Sequence, residues 1–194
     1  MKTLLITGFS PFNAQSLNPS WEAVKQLPEA VGNYRLCKLE LPTLYGKAAE
    51  LLLARASQVH PQVIISVGQA GGRDAVTPER IAVNIRAARI PDNDGLLLDG
   101  DRVDPRGPAA YFSTLPVEAI RDAIRAVQIP SAVSNTAGTF VCNDVLYSML
   151  RHYENTDVRC GFIHVPYMPE QGEPNLPLDR TVAALVAAIG ALDA

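Results

Sequence analysis

Cys142 stands where a glycine-containing stretch, SNTAGTF, meets a segment of helical period, VCNDVLYSML. A helix start presents free backbone N–H groups and the positive end of the peptide dipoles, so a thiol there ionises more readily and becomes a better nucleophile. The same position also suits a buried, inert cysteine, so a partner base must decide. Three histidines are available: His60, His152 and His164. His60 follows the helical stretch GKAAELLLARASQV and His152 follows VLYSMLR, and both read as cations near helix C-termini. His164 instead interrupts the apolar run CGFIHVPYM, which reads as a buried strand ending at Pro166. A buried imidazole needs a hydrogen-bond partner. A strand-end histidine close after a helix-start cysteine is the pairing that nucleophilic catalysis requires.

A third group should hold the imidazole in one tautomer and orientation. Spacing does not choose it. Glu79 is the first candidate by context, because it follows the Gly-rich VGQAGGRDAV and immediately precedes an alternating strand, Arg80 to Ile85. Asp74 and Asp144 are its rivals, Asp144 as a support of the helix N-terminus.

The elements that must position these groups alternate along the chain, as in an α/β domain with helices on both faces of a largely parallel sheet. Strands are predicted at Thr3–Thr7, Tyr34–Leu41, Gln62–Val67 and Ala132–Ser134, the last a short one. Asn18 reads as an N-cap with Pro19 at the first helical position of a helix through Gln26. Further helices are expected over Gly46–Val59, Pro116–Val127, from the Cys142 region onward, and Leu178–Leu192. Ile120, Ile124 and Val127 form one apolar face, and Val182, Leu185, Val186 and Ile189 form another. Ala87–Leu115 breaks the rhythm with Gly, Pro and Asp, and an excursion of that length borders a site or a subunit contact. The expectation is one catalytic domain over residues 1–194: a three-layer α/β/α unit with a twisted, mostly parallel mixed sheet. Its ligand would collect beyond the carboxyl ends of the strands, where Phe9, Phe12, Gln69, Cys142 and His164 all fall.

A net charge of −3 without a block of Lys and Arg argues against a nucleic-acid surface. Cys37, Cys142 and Cys160 are odd in number and lack Cys-x-x-Cys spacing, so neither a disulfide framework nor a zinc site is indicated. The start MKTLLITGF is too short in apolar residues for a signal peptide, and no stretch has the length of a membrane span. These features are read as a cytoplasmic protein with no cofactor, no metal and no membrane. VGQAGGRD lacks both GxGxxG and a phosphate-loop Lys, which disfavours nucleotides.

The segments TGFSPF, NPSWEAV, VGQAGGR with TPERIAVNI, ARIPDNDG, GPAAYFSTLP, SNTAGTFVCN and GFIHVPYMPEQ run in order from Leu4 to about Gln171. In that order and spacing the chain resembles the pyroglutamyl peptidase type I, or pyrrolidone carboxyl peptidase, family of cysteine peptidases. The resemblance implies Glu79, Cys142 and His164 as the catalytic residues, acting on peptides with an N-terminal 5-oxoproline through an acyl-enzyme. It implies a slot for a small flat lactam, lined by Phe9, Phe12, Phe140 and Val141, with Gln69 or nearby backbone bonding the lactam. The oxyanion would meet the Cys142 backbone N–H and one further donor, with Arg89 in ARIPDN or its backbone in that place. A homotetramer follows from the family's habit. One departure is visible: Asn13 and Ala14 stand where the family usually carries a Gly pair. The alternatives are a phosphorylase-like transferase on a similar sheet and a non-catalytic small-ligand-binding domain.

Overall fold

A computed structural model describes residues 1–193. β1 (Lys2–Phe9) leads through α1 (Pro19–Gln26) and the short β2 (Ala30–Val31) to β3 (Tyr34–Leu41), and α2 (Lys47–Val59) leads on to β4 (Val63–Gln69). β5 (Thr77–Pro78), β6 (Ile81–Val83), β7 (Arg86–Ala87), β8 (Asp99–Asp101) and β9 (Ala110–Phe112) are all short. The chain closes with α3 (Val117–Ala126), α4 (Val141–His152), β10 (Arg159–Val165) and α5 (Leu178–Gly190).

Leu4, Leu5 and Ile6 are all buried, so β1 is covered on both faces as an interior strand of a parallel sheet must be. The main sheet runs β2-β3-β1-β4-β10-β5, parallel through its four central strands and antiparallel at each edge. Alternation along the strands builds two cores. Leu4, Ile6, Ile65, Ile163 and Val165 pack with α1, α3 and α5, whereas Leu5, Ile64, Cys160 and Phe162 pack with α2 and α4. This is the expected three-layer α/β/α arrangement in one domain. Each fully buried Leu or Ile contributes roughly 1.5–3 kcal/mol to it.

Strand order reverses at β1 and β4, since one crossover runs from β1 to β3 and the next returns to β4 on the other side. Such a reversal opens a crevice at the strands' carboxyl ends. Phe9 ends β1, Gln69 ends β4, and His164 is the penultimate residue of β10. The crevice is held firmly on one side: Asn18 caps α1 through Ser20 N, and Ser20 Oγ accepts from Phe9 N at 3.0 Å. The helix lies so close to β1 that a Cβ on Gly8 would stand 2.6 Å from Trp21 N.

Several expectations are corrected. Arg80–Ile85 is not a strand of the main sheet; only Ile81–Val83 is extended, and it pairs with β9 in a separate two-stranded ribbon. A period of two reports a strand but not which sheet it joins. Ala132–Ser134 forms no strand, and the chain there makes single bridges, Val76 to Ser131 and Glu79 to Ser134. Val127 is 47% exposed, because α3 ends at Ala126 and Gln128 turns the chain with φ of 59°. α5 stops at Gly190 and buries Thr181, Ala184 and Ala188 with Leu185 and Ile189, leaving Val182 and Val186 on its flank. The Ala87–Leu115 excursion is tied down by polar groups: Asp92 accepts from the N–H groups of Tyr45, Asp94 and Leu96, and Asn84 donates to three carbonyls between Asp104 and Pro108.

Candidate active site

Cys142 is the second residue of α4, after Phe140 as N-cap and Gly138 at a φ of 74°. The two residues that follow it clamp the helix start. Asn143 accepts from Val83 N and donates to the carbonyls of Val83 and Ile85, at 2.9 to 3.0 Å. Asp144, fully buried, accepts from Arg86 Nε at 2.6 Å and Gly46 N at 2.8 Å. Asp144 therefore belongs to the helix frame. The sulfur rests over the β4–β10 surface: a Cβ on Gly68 would stand 2.9 Å from Cys142 Sγ and 2.7 Å from Phe162 Cζ.

His164 pairs in register with Gly68 on β4 and with Thr77 on β5. On a pleated strand it points to the same side as Phe162, the side covered by α4. Its ring lies 4.7 Å from that of Phe162. The antiparallel β5 then delivers Glu79, whose N–H bonds Phe162 O at 2.9 Å. Glu79 Oε1 meets His164 Nδ1 at 2.7 Å, with Glu79 wholly buried and His164 4% exposed. Asp74, the other rival, is exposed on the preceding loop.

A cavity of about 250 Å³ opens on these groups, lined by Phe9, Phe12, Gln69, Phe140 and Val141 together with Cys142 and His164. Phe12 and Phe140 face each other at 5.9 Å, and Tyr45 supports Phe140 edge-on at 5.4 Å. An apolar slot between aromatic faces with the Gln69 carboxamide in its lining suits a small, flat, neutral amide. Arg89 is exposed and does not line the cavity, so the structure does not bring it to the other site residues.

Sequence reasoning missed Arg73. It lines the cavity, and its Nη1 contacts Glu79 Oε1 and Thr77 Oγ1, each at 2.6 Å, while Nη2 donates to Thr136 O. It sits inside the quoted GGR, but no spacing marks a loop arginine that folds back on a carboxylate six residues later. Asn18 and Thr43 also reach the cavity wall, unannounced except by Asn18's capping role.

Burial pushes the Cys142 thiol up to about 12, with the Glu79 charge adding and Arg73 opposing. The helix start does not outweigh that in the resting site, contrary to the sequence expectation. Part of Cys142 borders the cavity, and its burial favours the protonated thiol. Burial also lowers His164, against the hydrogen bond and charge of Glu79, with Arg73 lowering it further. Burial alone would raise Glu79, but the His164 hydrogen bond and charge, with Ser134 and Arg73, outweigh it and hold the carboxyl below its usual value. Burial thus favours the uncharged forms of the thiol and the imidazole, beside a carboxyl held below its usual value. Glu79 Oε2 is buried without a hydrogen-bond partner among the described residues. No cluster of three or more His, Cys, Asp or Glu able to hold a metal occurs among them, and none of their helices is long and apolar enough to cross a membrane.

A three-layer α/β/α domain whose cavity presents a cysteine beside a carboxylate-held histidine has the equipment of a cysteine hydrolase. Residues 1–193 match the family model described as pyroglutamyl peptidase, and the chain belongs to that family of cysteine peptidases. It is 48% identical over 196 residues to the pyrrolidone-carboxylate peptidase of Levilactobacillus brevis, covering 97% of this chain and 96% of that one. The protein of the same name from Staphylococcus aureus is 46% identical, over 97% of this chain and 92% of its own. Among solved structures, pyroglutamyl peptidase I from Bacillus amyloliquefaciens superposes with a TM-score of 0.96 at 44% identity, covering 100% and 98% of the two chains. Pyrrolidone carboxyl peptidase from Thermococcus litoralis gives 0.95 at 36% identity, covering 99% and 93%.

Proposed function

We propose that this enzyme hydrolyses the amide bond following an N-terminal pyroglutamyl residue, with Cys142 as nucleophile, His164 as general base and then acid, and Glu79 as the group that orients the imidazole. One observation carries it: Cys142 and His164 line the same cavity, and His164 is held from behind by the buried 2.7 Å contact with Glu79.

Burial favours the uncharged thiol and imidazole, so attack and proton transfer belong to one event. The thiol proton passes to His164 as sulfur adds to the carbonyl carbon, and the imidazolium is stabilised by Glu79. The oxyanion meets the free backbone N–H groups at the start of α4, that of Cys142 among them. Collapse expels the amine, which takes the proton from His164 and leaves a thioester. Water, deprotonated by the same imidazole, then releases pyroglutamate and restores the thiol. Phe12 and Phe140 hold the ring, and Gln69 bonds its amide edge.

Release of a fluorophore from a pyroglutamyl amide tests the reading. Activity is expected in the native chain and is abolished by iodoacetamide and by Cys142→Ala; a native chain without activity, or activity surviving Cys142→Ala, overturns it. Self-association and a cytoplasmic location belong to the same proposal. The first is supported by Ile85, Leu96, Leu97 and Phe112 exposed on and beside the excursion, the second by three free thiols that a reducing compartment preserves. Light scattering checks the first, with a tetramer expected and a monomer overturning it.

A further inference from the structure

Three carboxamides meet beside the cavity. Gln69 lines it, Gln15 comes from the loop after β1, and Gln171 comes from the single helical turn Pro169–Gln171 after β10. The two ends of a carboxamide have the same shape, so its partners decide which is oxygen. Here one partner is unambiguous. The Met168 backbone N–H lies 3.0 Å from Gln171 Oε1, and an N–H can only donate. Gln171 Nε2 therefore faces the other two side chains, 2.9 Å from Gln69 Oε1 and 2.5 Å from Gln15 Oε1. Gln69 Nε2 in turn donates to Gln15 Oε1 at 3.0 Å. Reversing any one amide sets oxygen against oxygen or nitrogen against nitrogen.

We infer that Gln15 and Gln171 are positioning residues that fix the orientation of the Gln69 carboxamide, and that this fixed donor and acceptor order is what selects a lactam ring. The inference rests on the pyroglutamyl reading above. Each end of Gln69 gives one valence to the relay, which leaves one N–H and one oxygen lone pair for a ligand. A lactam carries one C=O and one N–H on the same edge, which satisfies both. A prolyl ring offers a charged amine and no acceptor, so the remaining Gln69 N–H goes unpaired, a mismatch that buried sites reject strongly. Gln15 reaches its place because the loop reverses at Asn13 and Ala14, both left-handed, with Gln15 N bonded to Phe12 O. One loop thus supplies a wall of the slot and a member of the relay.

The test measures KM and kcat for a pyroglutamyl amide, and inhibition by 2-pyrrolidone against N-methyl-2-pyrrolidone, which lacks the N–H. In Gln171→Glu the carboxylate still accepts from Met168 N but presents oxygen to Gln69 Oε1, so Gln69 must turn over. Gln171→Met and Gln15→Leu release Gln69 without inverting it. The native enzyme should favour 2-pyrrolidone by about tenfold or more. Gln171→Glu should raise KM about tenfold or more and erase that preference, while Cys142 alkylation by iodoacetamide stays within about twofold of native. Gln171→Met and Gln15→Leu should fall between, and they decide the matter if Gln171→Glu does not fold. Unchanged KM and ring preference in folded variants, or a loss confined to kcat and alkylation, overturns the inference alone. A native enzyme that cleaves no pyroglutamyl amide overturns the functional reading, and the inference with it.

Discussion

Arg73 and His164 share one acceptor: both meet Glu79 Oε1, at 2.6 and 2.7 Å. The arrangement keeps Glu79 ionised and sets a fixed positive charge near the imidazole, which opposes protonation of His164. Removing it has a sign. Arg73→Met should move the acidic limb of kcat/KM to higher pH, because the imidazole then protonates more easily and is lost as a base sooner. Arg73→Lys should keep most of the native profile. A pH profile of Arg73→Met that overlays the native one would reduce Arg73 to packing.

Buried and lowered, His164 also couples folding to pH. Its folded pKa lies below the usual histidine value of 6.5, so the unfolded chain binds more protons just below that pH. Stability is therefore fully present above 6.5 and falls as pH drops toward the folded value. Glu79 acts in the same direction lower down, its contribution being present above 4.5 and lost as pH falls through its lowered folded value. The thermal midpoint of the native chain should drop between about pH 7 and pH 5, and His164→Gln should flatten that part of the curve.

Glu79→Gln should be milder than His164→Ala in single-turnover acylation. An amide still accepts from Nδ1–H but does not stabilise the charged ring, whereas loss of the imidazole removes the proton acceptor, worth about 10²–10⁴-fold. With folding checked by circular dichroism, equal or greater loss in Glu79→Gln would give the carboxylate another role.

The loop after β1 holds Ala14 at φ of 59° and Asn13 at 52°. A Cβ in this region costs about 1–2 kcal/mol, and Asn tolerates it better than Ala. Ala14→Gly relieves that cost but adds unfolded-state freedom of about 0.4–1 kcal/mol, so a net gain of roughly 0.5–1 kcal/mol is expected. Asn13→Gly should be near neutral. For a domain of this size the gain from Ala14→Gly is a rise of about 1–4 °C, read by thermal denaturation.

Gly68→Ala should lose activity beyond its loss of stability, since the new Cβ would stand under 3 Å from both the Cys142 sulfur and the Phe162 ring. Alkylation of Cys142 should change with it. Native kinetics in Gly68→Ala would mean that the sulfur is free to move.

Cys142, Glu79 and His164 were legible because each lies at an element boundary where residue type and context agree. The Asn18–Pro19 helix start was legible for the same reason, since the chemistry of a cap is local. Arg73 was not, because its role exists only once β5 turns back against β10. The Gln15–Gln171 contact joins residues 156 positions apart and leaves no periodic trace. Arg89 was chosen as the second oxyanion donor, yet the structure leaves it exposed and off the cavity. Asn13 and Ala14 were noticed as a departure in residue type; their left-handed backbone shows that the loop keeps a glycine-like path without glycine.

β5, two residues long and ending in Pro78, covers one outer edge of the main sheet beside β10. A proline and so short a strand give an incoming chain little to pair with. When residues 76–80 dock poorly, β10 is left as a bare, apolar edge next to a stranded carboxylate. Substitutions that loosen Glu79 should therefore leave the protein prone to strand-mediated aggregation, so that poor solubility and low turnover arrive together from a single lesion.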